Sequence, residues 1–172
     1  MQAKNSQIPD DALTDRFRLA WKETGRALWF IQQTEETLVL YLSLILHPKG
    51  KREACLAMLE KHFKKTLGAL LSELRKSVEV PADFDSRLSK FNDERNWLAH
   101  RIGRENYADL YDRKKFEALF RRLDDLKEEA KAITDMFSRL CDKWLIVNGY
   151  CTKEELASQT ERLFNQYRGG MT

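Results

Sequence analysis

Residues 91–102, FNDERNWLAHRI, decide how the chain is read. Phe91, Leu98 and Ile102 recur at the three- and four-residue spacing of one helical face, where a half-buried strand would alternate strictly. Upstream, Phe84 and Leu88 continue the stripe, and Asp83 and Asp85 after Pro81 mark its acidic helix start. One position on the stripe is charged, Arg95, and the same helix carries Asn96 and His100. These three polar residues in an otherwise apolar pattern are the first candidates for chemistry.

Working towards the N-terminus, the spacing of Phe17, Trp21, Leu28, Ile31, Leu38, Leu42 and Ile45 predicts a long first helix. Pro9-Asp10-Asp11 opens it, Gly25 bends it, and His47-Pro48-Lys49-Gly50 ends it in a turn. Thr24 and Glu35 interrupt the stripe. A second helix is expected over 51–78, with Cys55, Leu59, Phe63, Leu67, Leu70, Leu74 and Val78 on its apolar face. Its lysines and arginines lie mostly off that face and read as solvated.

Working towards the C-terminus, 103–106 reads as a loop and 109–148 as a long helix carrying Leu119, Leu123, Leu126, Ala130, Ile133, Phe137, Leu140, Trp144 and Val147. Gly149 suits its C-terminal cap. Thr152 and Glu155 have capping-box spacing and open a last helix. No segment holds a period of two. The expectation is an all-α, up-and-down bundle of about five helices, with one domain over 11–168, a flexible 1–10 and a frayed 169–172.

Composition narrows the function classes. Thirty basic against 27 acidic residues leave a net charge of only +3, so a nucleic-acid surface would have to come from local clustering. Cys55, Cys141 and Cys151 lack metal-ligand spacing and read as buried thiols in a reducing compartment. No secretory leader opens the sequence, and the apolar run at 38–46 is too short to cross a bilayer, so a cytoplasmic protein without membrane contact is expected. Glycine-rich phosphate loops, HExxH, paired CxxC and GxSxG are all missing, and neither metal nor cofactor is expected. The carboxylate pairs 124–125, 128–129 and 154–155 read as surface decoration, and His47 and His62 as surface histidines.

That leaves His100. Residues four apart on a helix are offset by about 40° and five apart by about 140°, so Asn96 and His100 share a face while Arg95 points towards the stripe. A charge at a core position costs several kcal/mol unless paired, and Glu35 on the first helix is the natural partner for Arg95. Chemically, the set suits phosphodiester cleavage. A histidine moves the proton, an arginine holds the phosphate, and an asparagine orients either. The ribose 2′-hydroxyl is an internal nucleophile, so no metal is needed. The alternative is that Arg95 is a structural ion-pair partner and His100 completes a helix C-terminus.

The string RNWLAH at 95–100 resembles the signature of the HEPN superfamily (higher eukaryote and prokaryote nucleotide-binding domains), an Arg-x4-6-His motif with a polar residue after the arginine. Arg95, Asn96 and His100 match its three positions, and the size and helical pattern suit the family's four-to-five-helix bundle. The resemblance implies a metal-independent endoribonuclease with its active site at a homodimer interface. It implies a toxin or antiviral defence effector, often controlled by an antitoxin or another regulatory protein. Family members that have lost catalysis bind RNA, nucleotides or partners instead. Arg101 and Arg104, just after the histidine, could contact the RNA backbone. One departure stands out. A tyrosine commonly found two residues after the histidine, the target of AMP attachment, is replaced here by Ile102, and the next tyrosine is Tyr107.

Overall fold

The computed structural model describes residues 10–46 and 52–169. The helix-start signal at Pro9, the turn at 47–50 and the surface assignment of His47 fall outside them. Among the described residues the chain is helical and has no strands. It forms α1 (Asp10–Leu46), α2 (Arg52–Phe63), α3 (Leu67–Ser77), α4 (Ala82–His100), α5 (Ile102–Asn106), a 3-10 turn (Tyr107–Tyr111), α6 (Arg113–Val147) and α7 (Lys153–Gly169).

Side-chain partners give the directions. Glu23 meets Lys127, Thr34 meets Thr134 and Tyr41 meets Phe137, so α1 and α6 rise together as parallel neighbours. Helix α4 descends between them, because Arg95 meets Glu35 while Arg87 and Glu94 meet Glu129 and Arg122. The core fills the space among these three helices, with Phe91, Trp97, Leu123, Ile133 and Phe137 at most 1% exposed.

Among the described residues seven α-helices stand where about five were expected, for two local reasons. The expected 51–78 helix breaks at residues 64–66, where Thr66 adopts an extended backbone and its hydroxyl accepts from Ala69 N–H, capping a new helix. The expected loop at 103–106 is the helical turn α5, continuing directly into the 3-10 turn. Elsewhere the local signals hold. Gly149 takes φ +74°, and Thr152 and Glu155 exchange both capping-box hydrogen bonds.

The face of α1 differs from the one the apolar spacing suggested. Its buried line runs Glu23, Ala27, Ile31, Thr34, Leu38 and Leu42, leaving Trp21 and Leu28 exposed. Ala27 and Ala130 are fully buried, and such small side chains let the α1 and α6 backbones approach closely. Thr34 Oγ1 reaches the Ala130 carbonyl across that seam at 3.0 Å. Bulky residues are thereby displaced to the outer edge. Phe63 and Val147, also expected on core stripes, are exposed because their helices end there.

Candidate functional site

The site grows from the way α4 is anchored. Trp97 and Leu98 bury completely, which fixes the helix rotation and turns Arg95, Asn96 and Ala99 away from the α6 side. Trp97 Nε1–H donates to Asn106 Oδ1 at 3.2 Å, and the Arg122 guanidinium stacks 3.6 Å from the indole ring centre. Arg122 in turn makes a two-point bond to Glu94. The helix ends at His100, where Arg101 N–H closes on the Trp97 carbonyl.

Arg95 and Glu35 form the ion pair that their stripe positions call for, with Nε donating to Oε1 at 2.9 Å. The two side chains are 23% and 25% exposed, so the pair sits at the rim of the core instead of inside it. One Nη1 proton reaches Asn96 Oδ1 at 3.4 Å. An arginine has five N–H donors, and the bonds to Glu35 and Asn96 use two of them.

The imidazole of His100 is exposed and makes no hydrogen bond or ion pair among the described residues. It is hydrogen-bonded to neither Arg95 nor Asn96. Within one chain, then, Arg95, Asn96 and Glu35 come together and His100 stands apart, at the end of the same helix. Arg101 is exposed and lies 3.8 Å from Glu105, and Arg104 is exposed without a partner among the described residues. Helix α1 borders this surface. Leu28 lies seven residues before Glu35, hence on nearly the same face, and is 37% exposed, while Trp29 beside it is 62% exposed.

Two buried polar groups escaped the sequence reading. His62, expected at the surface, is fully buried. Its Nδ1 lies 3.2 Å from Ser43 Oγ, and its Nε2 lies 3.4 Å from Glu73 Oε1 without hydrogen-bond alignment. Burial pulls the imidazole below its ordinary pKa against the opposing pull of Glu73, while Lys65 holds the Glu73 carboxyl low. His62 therefore ties α2 to α1 and α3 from inside. The neighbouring lysines suggested exposure, yet they merely occupy the outer sides of the same turn.

The second group is Glu23 with Lys127, both largely buried, their atoms 2.5 Å apart. The bond to Lys127 lowers the Glu23 carboxyl despite burial. Lys127 is pulled down by burial but ends raised, because Asp124 and Glu23 both face it. The signal for this pair was the four-residue step from Glu23 through Ala27 to Ile31. Of the carboxylate pairs read as surface decoration, Glu129 is only part-exposed and binds Arg87, and Glu155 serves the α7 cap.

Among the described residues no helix is long and apolar enough to cross a membrane, and no cluster of three or more His, Cys, Asp or Glu is arranged to hold a metal ion. Compared with known proteins, the chain matches no family model, no curated protein and no solved structure at the significance required.

Proposed function

We propose that the chain is a HEPN-type, metal-independent endoribonuclease acting as a homodimer, with Arg95, Asn96 and His100 as its reacting residues. The observation that carries the reading is the state of the motif on α4. Arg95 is oriented by Glu35 with N–H donors to spare, and five residues on stands an exposed, unbonded imidazole. Leu28, on nearly the same face of α1 as Glu35, is 37% exposed, an apolar side chain that a second copy seated against this face would cover.

In the proposed reaction one His100 imidazole takes the proton from a ribose 2′-hydroxyl. The 2′-oxygen attacks the adjacent phosphorus, and the 5′-oxygen leaves with a proton from the His100 of the second copy. Arg95 holds the non-bridging oxygens and offsets their growing charge. Asn96 steadies the guanidinium through its amide oxygen. The products are a 2′,3′-cyclic phosphate and a 5′-hydroxyl. A toxin or antiviral effector controlled by an antitoxin or other regulatory protein is the biological role in keeping with this chemistry.

The test is incubation of the purified protein with varied RNAs in the presence of a chelator, with analysis of the new ends. Cyclic phosphate and 5′-hydroxyl termini support the mechanism; 3′-hydroxyl and 5′-phosphate termini refute it. A second reading, a noncatalytic module for dimerisation or for RNA or nucleotide binding, draws on the Arg95–Glu35 ion pair, which would serve structure alone. Intact RNA after incubation with a folded dimer favours that second reading.

A further inference from the structure

Beside the candidate site lies a cavity of about 120 Å³ among α1, α5, the 3-10 turn and α6. Its walls are apolar, with Phe17, Ile102, Leu110 and Leu119 in the floor and Trp21 and Tyr107 at the rim. Trp21 is 74% exposed and Tyr107 56% exposed, so two large aromatic faces stand open to solvent at the mouth. The ring of Tyr107 is braced by Phe17, with ring centres 5.6 Å apart.

We infer that this cavity is a stacking subsite for one base of single-stranded RNA, close to the phosphate that Arg95 and His100 act on. The inference rests on the ribonuclease reading and adds the class of substrate: an unpaired strand, with a single-ring base in the subsite. Three features select that occupant. The first is shape. An apolar cavity of roughly 150 Å³ holds one benzene-sized ring, so about 120 Å³ leaves room for at most one ring and none for a purine. The second is polarity at the wall. The Asn106 amide is fixed by Trp97 N–H on its oxygen and by Asp109 on its nitrogen, and each atom keeps one further hydrogen-bonding position for a base edge.

The third feature is charge around the mouth. Arg101 and Arg104 are exposed in the turn that leads into the cavity, and Arg16 is held on its far side by the Leu110 carbonyl. Arg101 is shared with Glu105, whereas Arg104 has no partner among the described residues and is the guanidinium most open to a phosphate backbone entering from that turn. Position along the helices agrees. Thr24, in the cavity wall, lies eleven residues before Glu35 on α1, or about 16 Å along the axis. His100 lies between, since Ile102 and Gly103 of the wall follow it directly. Aromatic stacking of this kind tolerates sequence but demands an unpaired base.

The experiment uses the full chain carrying His100→Ala, so that bound RNA stays intact. Fluorescence anisotropy with short oligouridine, oligoadenosine and duplex RNA gives the affinities. The same chain with Trp21→Ala, Trp21→Phe or Tyr107→Ala is then compared, with light scattering to report the oligomeric state. The subsite predicts preference for oligouridine over duplex and a loss of about 5- to 100-fold with Trp21→Ala, the range expected for one lost stacking contact. Trp21→Phe should restore most of it. Cleavage by the Trp21→Ala chain with His100 intact should show raised KM and little change in kcat. RNA bound equally well by Trp21→Ala overturns the subsite and leaves the nuclease reading standing. Loss of the dimer in Trp21→Ala overturns it in favour of a subunit interface. A chain that binds no RNA and cuts none overturns both.

Discussion

Replacing Glu23 by Gln tests the packing account at its least expected point. In the native chain Glu23 and Lys127 are each only 10% exposed in their side chains and face one another across the α1–α6 seam. Removing one member of a buried pair usually costs about 3–5 kcal/mol, because the other charge is left without compensation. Here Asp124 remains 2.6 Å from Lys127, but it is 62% exposed and partly screened by water, so it offsets only some of the loss. The expected destabilisation is about 2–3 kcal/mol. For a chain of this size that lowers the unfolding midpoint by roughly 4–12 °C.

Urea unfolding of Glu23→Gln, Lys127→Met and the double variant measures the coupling directly. The double variant should recover part of the loss, since the stranded charge is then gone. The pH dependence has a definite sign. The folded state lowers the Glu23 carboxyl, so its contribution is present above the ordinary glutamate range and is lost as pH falls through the folded value. A cost below about 0.5 kcal/mol for Glu23→Gln, the size of an ordinary surface change, would refute the claim that this pair ties α1 to α6.

Three further outcomes follow from the same structure. The folded state lowers His62, so its contribution to stability is complete above its ordinary range and declines as pH falls towards the folded value; thermal melts between pH 7.5 and 5.5 should slope less in His62→Gln than in wild type, and identical slopes would remove His62 as the cause. Glu35→Gln should change stability by less than about 1 kcal/mol, because the pair is part-exposed, yet lower RNA cleavage by loosening Arg95; unchanged kcat and KM would deny Glu35 any positioning role. Trp97→Phe should cost about 1–3 kcal/mol in urea unfolding, since the Asn106 amide oxygen loses its indole donor and Arg122 loses most of its stacking surface; a neutral result would mean that burial of the ring alone fixes α4.

The helical class and most cap positions were legible because they depend on local rules. The spacing of Leu119, Leu123, Leu126, Ala130 and Ile133, the glycine at 149 and the Thr152–Glu155 box each encode structure within a few residues. The Arg95–Glu35 pair was legible for a related reason, since two opposite charges on two apolar stripes invite one another. The face of α1 was not legible, because residues on both its edges are apolar and only packing against α6 selects Ala27 over Leu28. His62 was hidden for the same reason. Whether a polar residue faces Ser43 and Glu73 or solvent depends on the break at residues 64–66, after which α3 brings Glu73 to His62. The exposed rim of Trp21 was hidden too, because a tryptophan at helical spacing reads as core.

For the chemistry on α4, the most direct measurement compares wild type with His100→Ala on single-stranded RNA in chelator, at matched folding and oligomeric state. His100 bonds to nothing among the described residues, so its loss should leave the fold and the proposed dimer intact. The account predicts cleavage by wild type and a fall of about 10²- to 10⁴-fold in His100→Ala, the range for removal of a proton-transfer group. Equal cleavage by the two proteins, or none by either, would contradict it.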